Sequence, residues 1–152
     1  QEAFCPQSVT LVLDDDIDVS RGDMIIGPDN LPGVSSELQA KVCYKHPRPL
    51  QRGKKYFRKH TTQTVQAIVT QIEDRINVST FEPEPDPPEL ALNDIGVIGL
   101  KTARPLIFDG YATNRLTGSF ILIEQGTNAT IAAGMLLPPA ELVKPEYKDW
   151  AI

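Results

Sequence analysis

The residues with the most chemical potential lie in one basic segment, residues 41–60. It holds eight Lys and Arg and no acid, with Tyr44, Tyr56 and Phe57 between them. Such a segment can bind an acidic protein surface, follow a phosphate backbone, or form a solvated face. The sequence pI of ≈ 5.0 disfavours nucleic acid. The segment supplies six candidate partner-binding residues, Arg52, Lys54, Lys55, Tyr56, Arg58 and His60.

A second polar group falls between two apolar runs, where a loop is expected. It consists of Asp109, Tyr111, Asn114 and Arg115. Polar and aromatic residues on a loop held by rigid strands can contact a partner. They can equally form a hydrogen-bonded network that fixes the shape of the loop. All four are retained as candidate partner-binding residues.

Three patterns argue against catalysis by this chain. Asp14, Asp16 and Asp18 match the first ligand positions of an EF-hand calcium loop, but the later Gly and bidentate Glu are missing. His46 and His60 have no nearby nucleophile or carboxylate that would define a triad or metal site. No Gly-Lys-Ser or Gly-Lys-Thr string is available to hold a nucleotide phosphate. We therefore expect no catalytic, cofactor-binding or metal-binding residues here.

Bulk composition fits one domain of ordinary size. The chain has 152 residues, of which 41% are apolar, and no apolar run approaches the ~20 residues that span a bilayer. No signal sequence is recognisable, so a cytoplasmic location without membrane attachment is expected. Cys5 and Cys43 are expected to be reduced, although a disulfide between them stays open.

Short apolar runs separated by Gly, Asn, Asp and Pro predict an all-β barrel or sandwich of about six strands. In the run Leu38–Tyr44, alternate residues face the core. Pro105 is expected to divide Val97–Leu100 from Leu106–Phe108. The proline-rich segment 81–88 is predicted to be an exposed, extended excursion. The other strands are expected at Lys54–Lys59, Thr62–Ile72, Phe120–Ile123 and Ile131–Leu137.

The last two strands are apolar on both faces, which is unusual for a small antiparallel barrel. In Phe120–Ile123 all four side chains are large and apolar, and Ile131–Leu137 is interrupted only by small residues. One face must line the core. The other is then covered by the chain's own loops or by a partner.

The order of motifs from residue 8 to about 137 resembles the end of the GTPase subunit of sulfate adenylyltransferase, in the translation-factor GTPase superfamily. That superfamily includes elongation factors Tu and 1-alpha. The resemblance is carried by Ile17-Asp18-x-Ser20-Arg21-Gly22-Asp23, Lys59-His60-Thr61-Thr62, Leu92-Asn93-Asp94-Ile95-Gly96, Asp109-x-Tyr111, Asn114-Arg115-x-Thr117-Gly118-Ser119-Phe120-Ile121-Leu122-Ile123 and Ala133-Gly134-Met135.

For the fold, the resemblance implies an antiparallel Greek-key barrel at residues 33–137. Residues 1–32 would be the closing strands of a preceding barrel, with Ser8–Ile26 in β conformation, followed by a linker. Residues 138–152 would form a tail. Independently of the resemblance, the lone Trp150 in it is expected to pack back onto the barrel.

For function, the resemblance implies a non-catalytic barrel in a protein that couples GTP hydrolysis to formation of adenylyl sulfate from ATP and sulfate. GTP and Mg would bind a domain outside this sequence. The implied partners are the catalytic subunit of sulfate adenylyltransferase and the protein's own GTPase domain, without nucleic acid. Two alternatives stay open: an RNA- or protein-binding barrel of an elongation factor-like protein, and a free-standing structural module.

Overall fold

The computed structural model describes residues 2–4, 6–77 and 79–138. All regular secondary structure within these residues is β, as the sequence predicts. The strands are β1 (Gly33–Tyr44), β2 (Leu50–Gln51), β3 (Lys55–His60), β4 (Gln63–Ile76), β5 (Pro83–Pro85), β6 (Glu89–Leu90), β7 (Ile95–Phe108), β8 (Ser119–Ile123) and β9 (Thr130–Leu136).

Six strands close into an antiparallel barrel, which confirms the predicted fold class. The order is β3-β8-β9-β1-β7-β4, and pairing between β3 and β4 completes the ring. Strand β5 adds to one end of β4, while β2 and β6 form a separate ribbon. Because the ring is closed, the strands within it satisfy their backbone hydrogen bonds on both sides over most of their length.

The core follows the predicted alternation along β1. Leu38, Ala40 and Val42 are buried, and their neighbours in sequence face outward. On the adjacent strand β7, Leu100 pairs with Leu38 and Ile98 pairs with Ala40, and both are buried. Each large apolar side chain buried in this way stabilises the fold by roughly 1.5–3 kcal/mol.

Pro105 does not divide β7, contrary to the prediction from the sequence. The strand continues through it in a bulge, since residues 102–105 of β7 stand opposite Ser36 alone in β1. At the bulge the Thr102 hydroxyl lies within hydrogen-bonding distance of the carbonyls of Ser36 (3.2 Å) and Arg104 (2.7 Å). Because the ladder is already interrupted there, a residue without an N–H group is tolerated.

The proline-rich segment is exposed as expected, but part of it pairs with the barrel. Strand β5 lies beside the end of β4, with Glu84 opposite Arg75. The Arg75 Nη2 atom lies 2.5 Å from Glu84 Oε2. This ion pair holds the otherwise solvent-exposed segment 81–88 against the end of β4.

The predicted strands in Ser8–Ile26 do not form. The described residues before Gly33 contain only an isolated bridge between Arg21 and Asp23, at the predicted turn. A strand needs a neighbour to complete its ladder, and none of the described residues pairs with this segment beyond that bridge. Val9, Leu11 and Val12 are consequently 55–89% exposed.

Several expectations fall on residues outside the described ranges. Trp150 and the tail beyond Pro138 lie there, as does Cys5. The pairing state of Cys5 with the half-buried Cys43 of β1 is therefore not described. The domain boundary near residue 32 stays a prediction.

Candidate partner-binding site

A chain of hydrogen bonds fastens the loop between β7 and β8 to the end of β3. The Nε2 atom of His60 lies 2.7 Å from the carbonyl oxygen of Thr117, to which it donates as Nε2–H. The hydroxyl of Thr117 donates to Asp109 Oδ2 at 2.5 Å. Asp109 therefore belongs to a hydrogen-bonded network that fixes the shape of the loop, one of the two interpretations that its sequence position allowed.

The same loop presents an aromatic, a cation and an apolar side chain. The guanidinium of Arg115 lies 6.0 Å from the centroid of the Tyr111 ring, a cation–π contact. The side-chain oxygen of Asn114 accepts a hydrogen bond from the Leu116 amide at 3.0 Å. With its amide held in this way, Leu116 projects its side chain outward and is 82% exposed.

Below the loop, the outward faces of β8 and β9 form a groove of about 570 Å³. On the inward face of β8, Phe120 and Leu122 are buried in the core. The doubly apolar strands therefore line the core with one face and this groove with the other. The groove is lined chiefly by Cys43, Tyr111, Leu116, Ile121, Ala133 and Met135, with Lys59 at its margin.

The basic segment is not one continuous surface, which corrects the expectation from sequence. Strand alternation turns Tyr56, Arg58 and His60 into the barrel, where they are 6%, 0% and 2% exposed. These three side chains present little surface to a protein partner, and whether they contact one stays a prediction. Arg52, Lys54 and Lys55 remain on the surface.

Arg52, Lys54 and Lys55 lie at one end of the barrel. Lys54 and Lys55 border a polar depression of about 250 Å³ that also contains Glu124. Glu124 Oε1 pairs with Arg48 Nη2 at 2.7 Å, so its charge is partly neutralised and the two lysines dominate. Arg52 is already engaged, by an ion pair with Asp86.

Arg58 is the most unusual side chain in the barrel. Its Nη2 donates to the side-chain oxygen of Gln63 at 2.8 Å. Its Nε and Nη1 atoms are buried and have no partner among the described residues. Burial lowers the pKa of Arg58 to about 10, so it is still charged at neutral pH.

The buried His60 makes the barrel sensitive to acid. Burial is the main cause that lowers the pKa of His60 below its usual 6.5, and the charge of Arg58 adds to it. Because the unfolded chain then binds a proton more readily than the folded one, stability is lost as pH falls below about 6.5. The free energy of unfolding, measured by urea denaturation from pH 7 to pH 5, should decrease.

The variant His60→Leu isolates this effect. It should have a lower stability but a flatter pH dependence than the wild type. Equal slopes in the two proteins would assign the acid sensitivity to other groups.

The described residues also bear on metal binding and on membrane insertion. Among them, no cluster of three or more His, Cys, Asp or Glu is placed to hold a metal ion. No helix among the described residues is long and apolar enough to cross a membrane.

The sequence identified only some of the residues that line this site. Tyr111 lies at the groove, but Leu116 and Met135 were not among the candidates. The signal for Met135 was present in the doubly apolar pattern of β8 and β9, since one face of these strands must point outward. Leu116 lies in the loop before β8, outside that pattern. The burial of Arg58 was also visible, in the alternation of Tyr56, Arg58 and His60 along β3.

Comparisons with known proteins agree with this architecture. The family model described as "GTP-eEF1A C-terminal domain-like" matches residues 37–137. Among solved structures, sup35 complexed with GDP superposes with a TM-score of 0.66 at 16% identity, covering 75% of this chain and 28% of sup35. That likeness shows the fold.

Curated relatives are more similar in sequence. Sulfate adenylyltransferase subunit 1 of Alteromonas mediterranea is 42% identical over 156 residues, covering 100% of this chain and 33% of the relative. A bifunctional enzyme CysN/CysC of Mycobacterium tuberculosis is 44% identical over 137 residues, covering 90% of this chain and 22% of the relative. This chain thus spans a third or less of these proteins, whose names confirm the resemblance predicted above. Since the family model matches most of the barrel, the chain belongs to the GTP-eEF1A C-terminal domain-like family.

Proposed function

We propose that this chain is the non-catalytic C-terminal barrel of a cytoplasmic sulfate adenylyltransferase subunit 1. The whole protein would couple GTP hydrolysis to the formation of adenylyl sulfate from ATP and sulfate. GTP and Mg would bind its GTPase domain, which lies outside this sequence. The 42% identity to a sulfate adenylyltransferase subunit 1 over the full chain supports this assignment.

The apolar groove on β8 and β9 is the observation that supports a docking role for this barrel. Ile121 and Met135 face outward in it, and Leu116 is almost fully exposed at its margin. Permanent interfaces are more apolar than transient ones. The groove therefore suits the protein's own GTPase domain, which would stay attached to the barrel through the covalent chain.

The exposed lysines suit a separate subunit. Lys54, just before β3, and Lys55, the first residue of β3, are both exposed next to the polar depression around Glu124. Complementary charge raises the association rate of two separate proteins and fixes their orientation. We assign these lysines to an acidic surface of the catalytic subunit. Movement of the GTPase domain could then reach that subunit as a rigid-body displacement of the barrel.

Reversing these charges should weaken the complex. The double variant Lys54→Glu/Lys55→Glu is expected to bind the catalytic subunit at least about tenfold more weakly, because attraction becomes repulsion. The dissociation constant is measured by calorimetry at constant ionic strength.

The control Lys41→Glu/Lys101→Glu changes the net charge equally on β1 and β7 and should bind as the wild type does. Equal weakening in both double variants would reduce the effect to overall charge. Unchanged affinity in the Lys54/Lys55 variant would remove these residues from the interface. Transfer RNA, added as a competitor, should not displace the catalytic subunit; displacement would favour the RNA-binding alternative.

A further inference from the structure

A second groove, of about 430 Å³, lies between the Arg21 turn and the start of β4. Its lining offers guanidinium groups, hydroxyls and amides, and none of the described residues that line it is acidic. The side chain of the nearby Asp23 is turned toward the backbone amide of Ser20, 2.8 Å away. The groove is lined by Arg21, Thr62, Gln63, Thr64, Val65, Gln66, Ala103 and Arg104.

Gln63 separates this groove from the buried guanidinium of Arg58. Its side-chain oxygen accepts the Nη2 hydrogen bond of Arg58 at 2.8 Å. On its other side, its Nε2 atom lies close to Gly22, where an added Cβ would meet it at 3.4 Å. One amide side chain therefore stands between the surface groove and a fully buried cation.

Arg58 has unused hydrogen-bonding capacity. Its Nε and Nη1 atoms are buried without a partner among the described residues, and its side chain is 0% exposed. An unpaired buried charge is costly and calls for a compensating group. No other residue of the described chain supplies an anion to it, since Gln63 is neutral.

We propose that this groove binds an oxyanion of the sulfate or phosphate type, either free or as the end group of a larger molecule. Arg21 and Arg104 would hold it at the surface. Arg58 would become its third cationic partner when Gln63 rotates aside. Guanidinium groups form paired, charge-assisted hydrogen bonds with oxyanions, and the hydroxyls of Thr62 and Thr64 can satisfy the remaining oxygens.

The test is an NMR titration of the full chain at constant ionic strength. Inorganic sulfate and inorganic phosphate serve as free anions, and phenyl phosphate as an ester. We expect saturable shifts at the amides of residues 62–66 and at the Arg58 Nε–H resonance. A stronger response to phenyl phosphate would identify an end group as the ligand, and a weaker response a free anion.

Matched variants decide the outcome. Arg21→Ala/Arg104→Ala should weaken binding at least about tenfold, the loss expected for charge-assisted contacts. Lys41→Ala/Lys45→Ala, which removes two cations outside the groove, should leave it unchanged. Unsaturable shifts, or equal behaviour of both variants, would overturn the site. Saturable binding without any response of Arg58 would overturn the role of the buried guanidinium, leaving buried water as its partner.

Discussion

Replacing Gly118 with alanine should destabilise the barrel by about 3 kcal/mol, at the upper end of the usual cost of overpacking. An added Cβ would lie 2.4 Å from the Cα of Tyr111 and 2.7 Å from the carbonyl oxygen of Asn114. These are backbone atoms, which cannot rotate away. Gly118 cannot retreat either, because its carbonyl oxygen accepts the amide of Leu136 on β9 at 2.7 Å. Urea denaturation measures the change.

Gly27→Ala is the matched control for this substitution. A Cβ at Gly27 meets nothing within 4 Å, so its effect should stay within about 0.5 kcal/mol. Displacement of the loop in Gly118→Ala should also disturb the hydrogen bond from His60 to Thr117. A loss below about 1 kcal/mol would show that the loop has room to adjust.

Replacing Arg58 with methionine should stabilise the barrel by about 1–4 kcal/mol when no sulfate or phosphate is present. Methionine fills similar volume and leaves no buried N–H group unpaired. The Gln63 oxygen loses one donor but can rotate toward solvent at the groove. Thermal and urea denaturation in a chloride buffer measure the gain.

Arg52→Met provides the comparison, since its ion pair with Asp86 is exposed and such pairs contribute at most about 1 kcal/mol. Arg58→Lys should not reproduce the gain, because it keeps a buried charge. Strong destabilisation by Arg58→Met would mean that internal water already satisfies the guanidinium.

The sequence predicted the strands of the barrel correctly where the alternation of apolar residues matches the burial that the fold imposes. Alternation along β1 identified its buried face. The division at Pro105 failed because residues 102–105 form a bulge in β7, where the ladder to β1 needs no N–H from the proline. Bulges follow from pairing rather than from local sequence. The strands expected in Ser8–Ile26 failed because β structure depends on neighbours as much as on propensity.

The candidate site was predicted less completely. A count of charges grouped Arg58 with Lys54 and Lys55. The alternation of β3 puts Arg58 inside and Lys55 outside, and Lys54 is exposed in the connection before the strand. Asp109 and Tyr111 were found together because their loop is local in sequence. The groove that joins Arg21 to Arg104 could not be foreseen, since a turn far from the barrel in sequence supplies one of its cations.

Closure of the ring has a kinetic consequence. Strand β1 pairs with β9, so Ala40 at the beginning of the barrel lies opposite Leu136 at its end. Folding therefore requires contacts between residues far apart in sequence, which slows the search for the native state. During synthesis, β1 can find its last neighbour only after β9 has left the ribosome. The ring is thus expected to be completed late, in a single cooperative step, and a chain truncated before β9 would leave the edges of β1 and β8 unpaired.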